Sequence, residues 1–253
     1  MDSKLKTFCI IIPVYNNQST IASVIEQVLG YCQDIIVVND GSTDNTVSIL
    51  ETERLSHPGR VSIVSYTKNR GKGYAITKGF QAALQKGYRY AVTMDADGQH
   101  YAHNLPHFEQ AIINNPDSLI VGARNLNAPG MPKKNTFANR FSNFWFSVQT
   151  LQRLPDTQTG YRLYPLERLG RIHLCGSRYE AELELLVRAA WRGIRLLPIT
   201  IDVYYPQERV SHFRPVLDFT RISILNTILC IFAIIYGYPS ILIHRICRKS
   251  PNK

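Results

Sequence analysis

Two nearly continuous apolar runs open the chain, FCIIIPV (8–14) and DIIVVND (34–40), the pattern of strands buried on both faces. Between them, STIASVIEQVLGY (19–31) places Ile21, Val24, Ile25, Val28 and Leu29 at helical spacing. TDNTVSILETERL (43–55) predicts a second helix with Asp44 as its N-cap. VSIVSY (61–66), KGYAITKGFQAALQKG (72–87), YAVTM (90–94), LPHFEQAIINN (105–115) and SLIVGA (118–123) continue the alternation. That rhythm predicts an α/β fold with a mostly parallel sheet flanked by helices. Ligands bind such sheets beyond the carboxyl ends of the strands. The polar clusters PVYNN, NDGSTD and DADGQH all follow strands, so they are expected to converge on one crevice.

After residue 123 the pattern loosens into a Gly/Pro/Asn-rich loop, RNLNAPGMPKKNT, followed by an aromatic helical segment, FANRFSNFWFSVQ. EAELELLVRAAWRG (180–193) predicts an amphipathic helix ending at Gly193, and IRLLPITIDVYY a strand. Residues 222–243 carry no charged side chain over 22 positions, enough to cross a bilayer as a helix. Gly237 and Pro239 interrupt this stretch, and basic residues flank it on both sides. A single span, a bent or in-plane membrane helix, and a buried helix all fit; membrane association is the expectation. The division expected is a catalytic-type domain over 1–215 and a membrane-associated helical segment with a basic tail over 216–253.

The formal net charge is +10, and residues 205–253 hold seven Lys/Arg against two acids. This excess suits phosphorylated or anionic-lipid partners. The five cysteines, Cys9, Cys32, Cys175, Cys230 and Cys247, show no CxxC or metal-ligand spacing, which excludes a disulfide framework or zinc site. MDSKLKTFCIIIPVYNN has an apolar stretch too short for a secretory signal. The expected location is the cytoplasmic face of a membrane.

MDADGQH (94–100) carries the chemistry. Asp95 and Asp97, two apart at a strand end, face one side and repel each other unless a cation lies between them. An EF-hand fails, because the sixth and twelfth positions from Asp95 are His100 and Pro106. No P-loop, dinucleotide fingerprint or GxSxG elbow occurs. A site for Mg²⁺ or Mn²⁺, completed by substrate phosphates, remains.

PVYNN, VVNDGSTDNT, NRGKGYA and MDADGQH, in that order, resemble the family-2 glycosyltransferases of GT-A fold. DTQTGYRLY (156–164) and YEAE (179–182) resemble segments of the polyprenyl-phosphate sugar transferases, the dolichol-phosphate mannose synthase-like branch. The resemblance covers about residues 7–215. It implies a UDP- or GDP-linked sugar donor, with Pro13, Val14 and Tyr15 walling the base and ribose. Asn16 stands where related enzymes often carry an acid. Asp40 would accept hydrogen bonds from the nucleoside, and Lys72 and Arg209 would reach the donor. Asp95, Ala96 and Asp97, with Gln99 as a further ligand, would hold metal and diphosphate.

In that branch the acceptor is an anionic lipid phosphate, so cations rather than a strong base are needed. Arg124 and Arg162 match positions of the branch, and Lys134, Arg140, Ser211 and Arg214 are further acceptor-side candidates. A hydroxyl acceptor on a glycolipid would instead need a carboxylate base, with Glu182, Glu180 and Asp156 as candidates. A rival of another class, a nucleic-acid or anionic-lipid binding module, fits the charge. Clustered strand-end acids would repel phosphates without a metal, so nucleic acid is not an expected partner.

Overall fold

The computed structural model describes residues 8–125, 133–170, 174–178, 180–204 and 215–249. Strands β1 (Phe8–Val14), β2 (Ile35–Asp40) and β3 (Val61–Tyr66) alternate with helices α1 (Ile21–Leu29), α2 (Thr46–Ser56) and α3 (Lys72–Gln85). β4 (Tyr90–Thr93), α4 (Leu105–Asn114), β5 (Leu119–Arg124) and α5 (Lys133–Thr150) follow. The remainder is β6 (Arg162–Pro165), α6 (Leu166–Leu169), α7 (Glu180–Trp191), β7 (Leu196–Ile201), α8 (Pro215–Phe232) and α9 (Tyr238–Lys249).

One seven-stranded sheet has the order β3-β2-β1-β4-β6-β5-β7. All pairings are parallel except those of β6, which runs antiparallel to both β4 and β5. The reversed strand was not evident from its four residues RLYP, because its neighbours are set by tertiary pairing: Thr93 opposes Arg162 and Val121 opposes the same arginine. Both faces of the sheet are covered, which is why β1 and β2 read as unbroken apolar runs. One core holds Ile11, Ile36, Val38, Phe80 and Trp191; the other holds Ile10, Ile12, Val24, Ile25 and Phe108.

The expected helix in 43–55 begins at Thr46 with Asn45, not the expected Asp44, at its N-cap; Asp44 stands one residue earlier, its Oδ1 accepting from the Thr46 amide at 3.0 Å in the turn that leads into the helix. The uncharged C-terminal stretch is not broken at Gly237 and Pro239. A single π-type widening, Ala233–Gly237, joins α8 to α9 and accommodates the proline at the start of α9. Gly237 is there for a close approach: a Cβ would fall 2.5 Å from Trp191 Nε1. Ile222–Ile246 is long and apolar enough to cross a membrane, and 28% of its most apolar window is buried.

Candidate active site

β4 is the middle strand of the sheet, and Asp95 and Asp97 emerge just past its carboxyl end. The chain turns through Gly98 at φ 75°. Asp97 Oδ1 accepts the Gln99 amide at 3.0 Å, and the Asp95 amide points at His100 Nδ1, 3.4 Å away. Gln99 O accepts from the Tyr204 amide at 2.8 Å, and His100 bridges to Val203. The buried His100 ring stacks on Tyr161, centroids 4.9 Å apart. The DADGQH turn is thus clamped from the far side of the sheet.

Lys72 opens α3 and reaches into the same place. Its Nζ lies 2.6 Å from Asp95 Oδ1 and 2.8 Å from Glu182 Oε2 of α7. The loop before it is set by Asp40, whose two oxygens accept the amides of Arg70 and Gly71, both at 2.8 Å. Asp40 is 3% exposed and accepts one amide on each oxygen, so it sets the lysine loop. Gly160 closes the lysine–aspartate pair from behind, since a Cβ there would sit 2.7–2.8 Å from both Asp95 oxygens and Lys72 Nζ.

The electrostatics follow from this packing. Burial opposes the charge on Lys72, but Asp95 and Glu182 raise its pKa well above the usual lysine range. Burial likewise works against Asp95, yet the Lys72 charge, with His100 and Arg162 behind it, holds its carboxyl below the ordinary value. Asp97 is the opposite case: burial and the neighbouring Asp95 charge push it up. Burial lowers the His100 pKa despite the two aspartates.

Arg124 ends β5 with its side chain 17% exposed. It grips the fully buried Asp156 through Nε at 2.6 Å and an Nη at 3.0 Å. Asn139 of α5 and the Gln158 amide donate to the same carboxylate. Burial raises the Asp156 pKa, but Arg124 and these donors hold it below the usual range. Asp156 thus anchors Arg124. Arg162 is fully buried in β6, with Nη1 donating to Glu182 O at 2.6 Å and Nη2 to Thr157 O at 2.9 Å, so it braces the backbone of α7 and of the DTQTGYR segment from inside the sheet.

The three glutamates of α7 divide their duties. Glu182 holds Lys72, and its Oε1 is buried without a partner. Glu180 Oε1 caps the amides of Ser177 and Arg178. Glu184 caps Cys175 and Gly176 and pairs with Arg188. Arg140 is exposed on α5. Lys134 lies in the first turn of α5 with its side chain outside the described residues, as are Arg209, Ser211 and Arg214 altogether.

Of the three residues expected to wall the nucleoside, Pro13 and Val14 are buried at the end of β1, Val14 at 2% exposure, and Tyr15 is half-buried. Asn16 takes the left-handed conformation at φ 53°, which asparagine tolerates well, and its Oδ1 accepts the Thr43 amide at 2.8 Å. It fastens the NDGSTD turn to β1. Ala96 is buried, and its carbonyl accepts from Thr20 Oγ1 at 2.6 Å.

Asp95 and Asp97 offer an all-oxygen donor set of the kind that suits Mg²⁺ or Mn²⁺. The place already draws a cation, since the Lys72 ammonium sits on Asp95. Gln99 could add only its side-chain oxygen readily, because its carbonyl is taken by Tyr204. Sequence reading assigned nothing to His100, Gly160 or Asn139. His100 follows DADGQ and Gly160 lies within TGYR, Asn139 carried no motif signal, and their partners lie 5 to 88 residues away in sequence.

An α/β sheet that presents paired aspartates at its middle strand, beside a lysine-bearing loop, is the framework of a GT-A glycosyltransferase domain. The chain belongs to glycosyl transferase family 2, whose model matches residues 9–168. It is 31% identical over 206 residues to polyprenol monophosphomannose synthase of Mycolicibacterium smegmatis, covering 76% of this chain and 75% of that one. It is 30% identical over 220 residues to the UDP-N-acetylglucosamine–dolichyl-phosphate N-acetylglucosaminyltransferase of Methanococcus voltae, covering 80% and 87%. Glucosyl-3-phosphoglycerate synthase of Mycobacterium tuberculosis, solved with Mn²⁺, UDP and phosphoglyceric acid, shares the fold. Its TM-score is 0.65 at 17% identity, over 90% of this chain and 78% of that one.

Proposed function

We propose that this protein moves a sugar from a nucleoside-diphosphate donor to a polyprenyl phosphate, with inversion at the sugar carbon and with Mg²⁺ or Mn²⁺ as cofactor. The observation that carries the acceptor class is the state of the site's carboxylates. Asp156 is locked on Arg124, Glu182 on Lys72, and Glu180 on two backbone amides. A hydroxyl acceptor needs a group to take its proton; an ionised phosphate does not. The relatives named for polyprenol and dolichyl-phosphate chemistry support the same reading.

In this reading a phosphate oxygen of the acceptor bonds to the sugar carbon as the bond from that carbon to the diphosphate oxygen breaks. The nucleoside diphosphate leaves with the electron pair, and no proton is transferred. Asp95 and Asp97, with the Gln99 side chain, would hold the divalent ion, which supplies charge to stabilise the departing diphosphate. Lys72 holds a second positive charge at the same edge of the crevice. Arg124, oriented by Asp156, presents a guanidinium toward the anionic acceptor. Tyr15 flanks the nucleoside.

The test is incubation with radiolabelled UDP- and GDP-sugars, Mg²⁺ or Mn²⁺ and polyprenyl phosphate, followed by extraction into organic solvent. Mild-acid-labile lipid label that vanishes with EDTA and in Asp97→Ala is the expected result. Donor hydrolysis with label only on hydroxyl acceptors would overturn the phosphate reading.

A further inference from the structure

α8, the widened turn and α9 run as one uninterrupted helix from Pro215 to Lys249. Its buried positions are Leu225, Leu229, Ala233, Gly237 and Ile241, each four residues after the last, with Asn226 beside the first. That is a single stripe along the helix. The stripe lies against the catalytic domain along its whole length. Near one end, Gln149 Nε2 of α5 donates to Asn226 Oδ1 at 3.0 Å. Further along, Tyr238 OH donates to Val148 O and Ser240 Oγ to Trp191 O, both at 2.6 Å. Asn226 to Ser240 spans roughly 21 Å at 1.5 Å per residue. The helix therefore runs along the flank formed by α5 and α7. To stand across a bilayer it would have to carry α7 with it, including the Glu184–Arg188 pair, 2.6 Å apart. Charged groups at that depth are costly.

The opposite side of the same helix is apolar and open. Ile231, Ile235, Ile243 and Ile246 are 54–70% exposed, with Ile234 and Leu242 beside them. A contiguous row of this kind is the mark of a contact surface. Beside the docked edge, near the end of α9, Arg195, His244, Arg245 and Gln152 line a cavity of about 170 Å³. Cationic side chains around a slot at the docked edge, with an apolar ridge on the opposite side of the helix, match a membrane interface: acyl chains against the ridge and lipid phosphate against the guanidiniums.

We infer that α8–α9 lies in the plane of an anionic membrane, with the Ile231–Ile246 ridge immersed and the Arg195–Arg245 slot holding a phospholipid phosphate. This deepens the lipid-acceptor reading, on which it rests for the presence of a bilayer. It is scored without donor or acceptor, so the two can fail separately.

The experiment places an environment-sensitive fluorophore on Ile224→Cys, Ile235→Cys or Ile246→Cys, with Cys175, Cys230 and Cys247 replaced by serine. All three sites are exposed and tolerate a label. Quenching by lipids brominated at defined depths is read on phosphatidylcholine vesicles with and without phosphatidylglycerol. The expected result is one shallow depth for all three positions. A deep Ile235 between shallow ends would mean a spanning helix and would overturn the inference. So would failure to float with vesicles accompanied by concentration-dependent self-association, which would assign the ridge to a second copy. Arg195→Gln and Arg245→Gln should each weaken binding to the phosphatidylglycerol vesicles about five-fold, with binding to phosphatidylcholine alone unchanged. Equal loss on both vesicles would remove the phosphate from the slot.

Discussion

Lys72 Nζ sits 2.6 Å from Asp95 Oδ1, so a side chain of the protein occupies a position that a divalent ion would contest. Two cations on one carboxylate repel, and Glu182, 2.8 Å away with a second buried oxygen still unpaired, offers the ammonium an alternative anion. Lys72→Met should therefore tighten Mn²⁺ binding in the absence of donor by roughly ten-fold, about 1.4 kcal/mol, while reducing turnover. It should also cost about 2 kcal/mol of stability, less than the figure for a fully buried pair because the lysine keeps 19% of its side-chain exposure. Titration of Mn²⁺ by paramagnetic resonance reads the affinity. An unchanged or weaker affinity would rule out the competition.

Gly160 matters for shape alone. Its missing Cβ leaves room for Asp95 and Lys72, which would otherwise stand 2.7–2.8 Å from a methyl carbon. Gly160→Ala should force the pair apart and lower kcat/KM by on the order of 10²-fold, the usual effect of a displacement near 1 Å. Unfolding by urea should show a folded protein. An alanine variant with parental kinetics would mean that the backbone of TGYR moves aside without consequence.

The contrast between these two residues shows what the sequence could reveal. β1, β2 and the DADGQH turn were legible because apolar runs and strand-end acids are local signals. The partners of Lys72 were not: Glu182 lies 110 positions away on a different helix. Arg162 and Asp156 were legible as important, but their packing was not. Their charge was visible in the sequence, while their complete burial depends on the antiparallel β6 lying between β4 and β5. Asp40 repeats the lesson, an acid at a strand end whose oxygens accept two amides of the next loop.

Asp156 gives a pH signature. Its folded pKa is held below its unfolded value of about 4. The ionised carboxylate therefore stabilises the fold fully above about pH 4, and that share is lost as pH falls through the lower folded value. Asp156→Asn should cost about 3 kcal/mol at neutral pH by leaving Arg124 without its partner. Urea unfolding at neutral and strongly acidic pH should show the gap between parent and variant closing in acid. A gap that is constant with pH would mean that the hydrogen bonds, not the charge, carry the stabilisation.

Asp97 should behave in the reverse sense. Burial and the charge of Asp95 raise its pKa, so its ionised form strains the metal-free fold. An acid whose folded pKa lies above its unfolded value loses stability as pH rises between the two. Asp97→Asn keeps the shape and removes that charge. At neutral pH, without metal, it should melt higher by about 2–4 °C, what ~1 kcal/mol is worth in a chain of this size. At a pH below the unfolded value both proteins carry a neutral side chain, and the advantage should vanish. Mn²⁺ should raise the melting temperature of the parent in a concentration-dependent way and leave the variant nearly unmoved. The two effects together describe a carboxylate kept for the ion it binds at the expense of the empty fold, a common trade at active sites. A variant that melts lower than the parent without metal would show instead that the Asp97 Oδ1 bond to the Gln99 amide outweighs the repulsion from Asp95.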